Sequence, residues 1–352
     1  MKIQKFAPKN SLRYNKMDNK IKIGINGFGR IGRAVFKVAL EHDEVEVVAI
    51  NDLGDLENLA YLLRFDSVYG RYGKDIKVED GNLIVGDQTV KVLSESDPTK
   101  LPWGELEIDV VVESTGIFTK KEDAAGHLEA GAKKVVISAP TKSEDVPTVV
   151  LGVNNEDGQT SDIVSNASCT TNSAAPIVKV MDEAFDVKKA MLTTVHAYTA
   201  TQNIIDGPSK KDVRKGRAAA INIIPSSTGA AVAATKAYPK LKGKFDGVAL
   251  RVPVPVMSMS DFVFLLKKKV SVEDVNAALE DAADSKEYEG ILGVTSEPVV
   301  SSDFIGDPRS AIADLNMTRV VDGDLVKVMA WYDNEWGYSN RLVEQVIGLG
   351  SK

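Results

Sequence analysis

The spacing of apolar residues changes once along this chain, and the change divides it. Ile21–Asn26 reads as a buried strand. Over residues 31–41 the spacing turns helical, with Ile31, Val35 and Val38 or Ala39 on one face. Val45–Asn51 is a second apolar strand ending at Asp52. Val110-Val111-Val112, Val135-Val136-Ile137 and Val149-Val150-Leu151 are later runs of the same kind, with a helical stretch at about 122–129 between the first two. Strands and helices alternating at this length predict an α/β unit on a mostly parallel sheet. Residues 76–93 interrupt it with small antiparallel strands turning at Asp80-Gly81-Asn82 and Gly86-Asp87.

Beyond about residue 166 long alternating strands take over, at 191–198, 245–254, 261–267 and 325–331. Residues 174–185 and 338–347 carry helical spacing. Ser271-Val272-Glu273-Asp274 resembles a capping box, opening a helix with Val272, Val275 and Leu279 inward. Val321-Asp322-Gly323-Asp324 has the composition of a hairpin turn. Segregated strands and helices predict an α+β second domain on an antiparallel sheet.

Composition narrows the function classes. With 352 residues, 43% of them hydrophobic, the chain has material for about two domains. A formal charge of −7 argues against a general binder of nucleic acid or anionic membranes. No apolar run approaches the roughly 20 residues that span a bilayer, so a soluble protein is expected. The single cysteine excludes an intrachain disulfide and a multi-thiolate metal site, and it points to a reducing compartment. His42, His127 and His196 show no ligand spacing, and no metal is predicted. Residues 1–17 carry Lys2, Lys5, Lys9, Arg13 and Lys16 without an acidic residue. Three readings stay open for them: translation from an upstream start codon with Met17 as the alternative start, a disordered basic tail, or a short targeting segment.

Three segments carry candidate chemistry. Gly27-Phe28-Gly29-Arg30-Ile31-Gly32 follows the first strand and opens the first helix. In such a motif the first glycine permits the tight turn and the second lets a pyrophosphate approach the backbone. The third lets helix and strand pack closely, and the phosphates rest on the helix N-terminus. Asp52, 20 residues past Gly32, ends the next strand where a carboxylate can bind the adenosine ribose hydroxyls. It would repel a 2′-phosphate, which favours NAD over NADP.

The second segment is Ser168-Cys169-Thr170-Thr171-Asn172. A lone cysteine is often a small core residue, but this one has polar neighbours and precedes a helix whose dipole stabilises a thiolate. Pro176 would bend that helix if it begins at Cys169. The third segment, 193–202, holds His196 late in a strand. There it is either a hydrogen-bonded strand histidine or an imidazole partner for the thiol. Thr199, Arg214, Arg217, Thr228, Gly229 and Arg251 are scattered groups able to hold phosphate.

Taken together, Ile25-Asn26-Gly27-Phe28-Gly29-Arg30-Ile31-Gly32-Arg33, residues 165–172, Thr228-Gly229-Ala230-Ala231, Arg251-Val252-Pro253 and residues 331–340 closely resemble the glyceraldehyde-3-phosphate dehydrogenase family, in its order along the chain. The resemblance implies a Rossmann NAD-binding domain over 20–166 after an extension at 1–19. It further implies a catalytic domain over 167–332, a C-terminal helix at 333–352 returning to the Rossmann domain, and a cytoplasmic homotetramer of glycolysis. Carried over by position, Cys169 is the nucleophile and His196 its acid/base partner. Arg30, Ile31, Asp52, Ser138 and Asn334 bind NAD beside Gly27, Gly29 and Gly32. Thr199 and Arg251 hold the substrate phosphate. Ser168, Thr170, Arg214, Thr228 and Gly229 line the site of inorganic phosphate and the acyl oxygen. The loop at 198–217 packs against a neighbouring subunit.

Some positions depart from the family's pattern. Ser96 in Glu95-Ser96-Asp97-Pro98 removes an adenine-side arginine common in relatives. Val254 and Val256 replace a threonine and an asparagine, and Ser173 replaces a second cysteine. Two other readings remain, a relative that oxidises erythrose 4-phosphate and a catalytically idle scaffold or nucleic-acid-binding form. Thr199 and the Thr228-Gly229 pair fit the first less well, and Cys169, His196 and the acidic charge oppose the second.

Overall fold

The computed structural model describes residues 20–209 and 212–351; the N-terminal extension, 1–19, lies outside them. Two compact units make up the described chain. One contains 20–149, 155–167 and 339–351, the other 150–154 and 168–338.

The first unit runs β1 (Ile21–Asn26), α1 (Arg30–Ala39), β2 (Val45–Asn51), α2 (Leu56–Arg64), β3 (Phe65–Asp66), β4 (Gly70–Arg71), β5 (Ile76–Glu79), β6 (Asn82–Val85), β7 (Gln88–Leu93), β8 (Val110–Glu113), α3 (Lys121–Ala124), α4 (Gly126–Glu129), β9 (Lys134–Ile137) and β10 (Ile163–Ser165). Its main sheet has the order β10-β9-β8-β1-β2-β7-β6-β5. Strands β10 through β7 pair in parallel, and β7, β6 and β5 form the antiparallel edge. Strand order reverses beside β1, so a crevice opens at the carboxyl ends of β1, β2 and β8, where such sheets bind ligands.

A buried polar network pins these three strand ends. Asn51 Nδ2 donates to Asn26 Oδ1 at 2.7 Å, and Asn26 Nδ2 donates to Glu113 Oε2 at 2.6 Å. Trp103 Nε1 donates to His127 Nδ1 at 3.0 Å, which puts the ring proton on Nε2, 3.1 Å from Glu113 Oε2. With its members satisfied by one another, the network gives the crevice floor one arrangement.

Two local expectations differ from the structure. Residues 149–151 are not a strand; only Thr148 bridges to Ser165, and β10 takes the place beside β9. Val150 N donates to Asn154 Oδ1 at 2.8 Å, and Val153 and Asn154 bond back to the Val150 carbonyl, closing a turn that propensity does not reveal. The helical stretch at 122–129 is split into α3 and α4.

The second unit contains α5 (Cys169–Phe185), β11 (Val187–Ala197), β12 (Ile224–Ser227), α6 (Ala230–Ala237), β13 (Phe245–Val252), β14 (Ser258–Leu266), α7 (Val272–Ala283), β15 (Leu292–Thr295), β16 (Ala311–Asp314), β17 (Arg319–Val321) and β18 (Leu325–Tyr332). The order is β12-β13-β11-β14-β18-β16-β15, with β17 on β18. This sheet is mixed, which corrects the antiparallel expectation: β11 with β13 and β15 with β16 run parallel. The long excursion between β11 and β13, carrying β12 and α6, supplies the crossover that a parallel return needs. The Ser271–Asp274 capping box forms and buries Val275 and Leu279. The hairpin forms: three residues, 322–324, join β17 to β18, and Asp322 (φ 47°) and Gly323 (φ 74°) are both left-handed. The last helix, α8 (Trp336–Gly350), lies in the first unit from Ser339 onward.

Candidate active site

In the first unit the three glycines of the β1–α1 turn have separate physical roles. Gly27 has φ 92°, and a Cβ there would lie 2.7 Å from Thr115 N. A Cβ on Gly32 would lie 2.1 Å from the Gly27 carbonyl, so the helix approaches the strand only because that carbon is missing. A Cβ on Gly29 would meet nothing within 4 Å. Gly29 is the N-cap of α1 and has no side-chain cap, so open space faces the positive end of the helix. At the end of β2, Asp52 Oδ2 accepts from Phe28 N at 2.7 Å and Oδ1 from Gly54 N at 2.8 Å. These bonds fix the carboxylate beside the glycine turn with lone pairs remaining for ribose hydroxyls. The arrangement fits a dinucleotide. Arg30 pairs with Asp66 at 2.8 Å and lies over the Tyr69 ring. Ile31 occupies the first turn of α1, and Ser138 follows β9 with its N–H on the Glu113 carbonyl.

In the second unit α5 begins at Cys169 itself and holds Pro176 within it. Pro176 has no N–H, so the helical bond to Asn172 is missing. Ser168 caps the helix, its Oγ accepting from Thr171 N at 3.1 Å. Before it, Ala167 is buried at φ 55°, a left-handed conformation that costs a non-glycine residue about 1–3 kcal/mol and clusters at functional sites. The Cys169 thiol is thereby presented in the first turn of a seventeen-residue helix.

Opposite it stands His196. Cys169 Sγ and His196 Nε2 are 3.5 Å apart. His196 is paired in register with Arg251 of the parallel neighbour β13, and both are near the carboxyl ends of their strands. Arg251 Nη1 lies 2.6 Å from His196 Nδ1 and donates to the Ala197 carbonyl at 3.0 Å. Burial pushes the Cys169 thiol up, opposed by the Arg251 charge and hydrogen bonding from Thr170. Burial and then Arg251 pull His196 down to about 3, against the Ala197 carbonyl, which favours its proton. Burial thus opposes charge on both partners, while the helix N-terminus, Thr170 and Arg251 favour the thiolate.

Two further side chains that sequence reasoning missed, Tyr332 and Ser258, pack around this pair. Tyr332 hydroxyl lies 2.9 Å from Thr170 Oγ1 and 2.8 Å from Thr194 Oγ1, and its ring meets the His196 ring edge to face. Ser258 Oγ accepts from Ala197 N at 3.2 Å and donates to Asn334 Oδ1 at 3.0 Å, so the buried Asn334 is tied to the strand end carrying His196. The alternation of buried Val326, Val328, Ala330 and Tyr332 was the available signal for Tyr332. Nothing in the sequence pairs it with two threonines.

The remaining predicted residues are less closely gathered. Thr199 follows β11 with its Oγ1 2.9 Å from Thr201 Oγ1. Thr228 Oγ1 accepts from Ala230 N at 3.1 Å, and Gly229 is the N-cap of α6. Arg214 and Arg217 are exposed, and Arg217 pairs with Asp206 at 2.9 Å. Among the described residues no hydrogen bond joins Thr199, Arg214, Thr228 or Gly229 to Cys169, His196 or Arg251. Ser173 is buried with its Oγ 3.1 Å from Ser260 Oγ.

Comparison with known proteins agrees with both units. The family model described as "Glyceraldehyde 3-phosphate dehydrogenase, NAD binding domain" matches residues 21–121, and the one described as "Glyceraldehyde 3-phosphate dehydrogenase, C-terminal domain" matches 168–334. The chain is 52% identical over 335 residues to a glyceraldehyde-3-phosphate dehydrogenase of Streptomyces coelicolor, covering 94% of this chain and 99% of the relative. It is 53% identical over 334 residues to glyceraldehyde-3-phosphate dehydrogenase 1 of Bacillus subtilis, with the same coverage. It is also 53% identical over 331 residues to the enzyme of Haloarcula vallismortis, covering 93% of this chain and 98% of the relative.

Proposed function

The chain belongs to the glyceraldehyde-3-phosphate dehydrogenase family, and from that premise we propose that Cys169 and His196 carry out the oxidative phosphorylation of D-glyceraldehyde 3-phosphate to 1,3-bisphosphoglycerate. The observation that carries this reading is the 3.5 Å approach of Cys169 Sγ to His196 Nε2 at a capped helix N-terminus, with Arg251 against the same imidazole.

The cofactor is NAD. Gly27, Gly29, Arg30, Ile31, Gly32, Asp52 and Ser138 hold it, and the family resemblance assigns Asn334 to its nicotinamide amide. Bound NAD supplies the acceptor for the hydride that the aldehyde carbon loses. Asp52, held by two backbone N–H groups on its oxygens, would repel a ribose 2′-phosphate, so NADP is disfavoured.

The chain's own groups do the rest. Cys169 sulfur adds to the aldehyde carbon while its proton passes through His196 Nε2 to the former carbonyl oxygen, leaving a hemithioacetal. His196 then takes the hydroxyl proton as that carbon is oxidised, and the product is a thioester on Cys169. Inorganic phosphate attacks the thioester carbonyl, the thiolate leaves, and the acyl phosphate is released. Thr199 and Arg251 hold the substrate phosphate. Ser168, Thr170, Arg214, Thr228 and Gly229 line the position of the attacking phosphate and the acyl oxygen. Two anion positions are needed because substrate and nucleophile both carry phosphate.

The homotetramer expected of the family is supported by Ile204, Ile205, Val213, Ile221 and Ile223, all exposed in the excursion between β11 and β13. A cytoplasmic location fits a reaction that depends on one free thiol. The test is NADH formation with glyceraldehyde 3-phosphate, with and without inorganic phosphate. Sustained turnover should require phosphate, and turnover indifferent to it would remove the phosphorolysis step.

A further inference from the structure

Glu113 is the acceptor on which the polar network of the first unit converges. It is 1% exposed at the end of β8, and donors approach both of its oxygens. On Oε2, Asn26 Nδ2 donates at 2.6 Å and His127 Nε2 at 3.1 Å. On Oε1, Thr115 donates through its backbone N–H at 2.9 Å and through its hydroxyl. The groups behind these donors fix their direction. Asn51 Nδ2 occupies Asn26 Oδ1, and Trp103 Nε1 occupies His127 Nδ1, so Asn26 and His127 both turn protons toward Glu113. Only a carboxylate accepts on both sides in this way. Among the described residues no lysine or arginine lies within ion-pair distance of Glu113, whose neighbour in that range is His127.

What the carboxylate holds lies against the glycine turn of the cofactor site. Thr115 belongs to the turn after β8, and its Oγ1 accepts from Ile117 N at 3.0 Å, closing that turn on Glu113. The Phe118 ring meets the His127 ring edge to face, 6.3 Å between centroids, so the network grips the turn at a second point. The Ser114–Thr115 peptide packs directly on Gly27. A Cβ on Gly27 would stand 2.7 Å from Thr115 N and 2.8 Å from the Ser114 carbonyl carbon. Ser114 Oγ donates to the Gly27 carbonyl at 2.7 Å, and Ser114 N donates to the Asn26 carbonyl at 2.8 Å. The same Gly27 carbonyl is the atom on which Gly32 packs. Displacing residues 114–115 therefore displaces the carbonyl that spaces β1 from the N-terminus of α1.

We propose that Glu113 is a positioning residue for NAD, acting through the turn after β8 on the glycine turn that receives the pyrophosphate. At 1% exposure it has no surface to offer the cofactor. It holds Asn26 at the end of β1 and Thr115 beyond the end of β8 at once, and so sets where Gly27 lies between them. A glutamine in its place keeps the volume and loses one side. If its oxygen serves Thr115, its amide faces Asn26 Nδ2 and the His127 Nε2 proton, donor against donor; flipped, it faces the Thr115 N–H instead. Adding Asn26→Asp to Glu113→Gln repairs the mismatch. The relocated carboxylate still accepts from Asn51, takes the glutamine amide, and stands where Asn26 Nδ2 is now, 3.4 Å from His127 Nε2. Charge and volume are kept, and only the position of the acceptor moves. The proposal rests on the reading that the glycine turn receives the pyrophosphate.

The test is calorimetric titration of the full chain, freed of cofactor, with NAD and with ADP-ribose, which has the pyrophosphate and no nicotinamide. Glu113→Gln should weaken both by about tenfold or more, the cost of buried donors left unpaired. Asn26→Asp with Glu113→Gln should recover both affinities to within about threefold of wild type. Nitrogen NMR of the wild type should show His127 protonated on Nε2 and not on Nδ1, with or without NAD. A side chain that only holds the fold would lower the melting temperature in Glu113→Gln and leave the titrated affinities alone, and that result overturns the proposal. So does a double variant as weak as the single one, a His127 proton on Nδ1, or a loss seen with NAD and absent with ADP-ribose. Gly29→Ala, titrated alongside, tests the glycine-turn reading itself. If it binds NAD as wild type does, that reading falls and the proposal with it. If it weakens NAD while Glu113→Gln does not, the proposal alone is wrong. The double variant and the wild-type signal decide the matter even if Glu113→Gln does not fold.

Discussion

Cys169 Sγ stands 3.5 Å from His196 Nε2, the thiol on the first turn of α5 and the imidazole near the end of β11. The paired roles lead to separable losses. Cys169→Ser should abolish turnover, because a serine hydroxyl here has neither a thiol's acidity nor its nucleophilicity. His196→Asn should bind NAD as before and slow hydride transfer by roughly 10²–10⁴-fold, the usual range for a positioned general base. Stopped-flow NADH formation with cofactor titration reads both. Near-normal turnover by His196→Asn would refute its assigned role.

The glycines of the β1–α1 turn should separate folding from cofactor binding. Gly29→Ala puts a methyl into open space at an ordinary backbone angle, so the melting temperature should stay within a degree or two while NAD affinity falls about tenfold or more as the methyl meets the phosphates. Gly32→Ala drives a carbon onto the Gly27 carbonyl and should lower the melting temperature by several degrees as well. Equal behaviour in melting and NAD titration would contradict the division of roles.

Tyr332→Phe removes the hydroxyl shared by Thr170 and Thr194, both buried. Leaving them unpaired should cost about 1–3 kcal/mol, read as a lower denaturation midpoint. An unchanged midpoint would mean that the threonines find other partners.

Much of this architecture was legible from spacing alone. The apolar runs of β1 and β2 and the capping box of α7 needed only local chemistry, which the structure repeats. The run at 149–151 misled because a β-branched apolar segment favours a strand whether or not an asparagine four residues on captures its backbone. The parallel pairing of β11 with β13 is a property of a long crossover, and strand periodicity carries no direction. Cys169 was visible from its polar neighbours and His196 only through the family resemblance. Tyr332, Ser258 and the Ala197 carbonyl join the site by register across three strands, beyond any local pattern.

Acid should expose the buried His196. Its folded value, about 3, lies below the ordinary 6.5, so between these values the unfolded chain binds the extra proton. Stability from keeping the ring neutral is fully present above about pH 6.5 and is lost as pH falls toward 3. Denaturation midpoints against pH should fall more steeply in wild type than in His196→Asn over this window. Parallel curves would mean that the folded ring takes up its proton normally.

The most direct test of the central claim is the mass of the protein mixed with NAD and glyceraldehyde 3-phosphate in the absence of inorganic phosphate. A burst of NADH should stop near one per chain, with the acyl group mapped by peptide analysis to Cys169, and added phosphate should clear the adduct and restart turnover. An adduct on any other residue, or a burst that leaves Cys169 unmodified, would contradict the account.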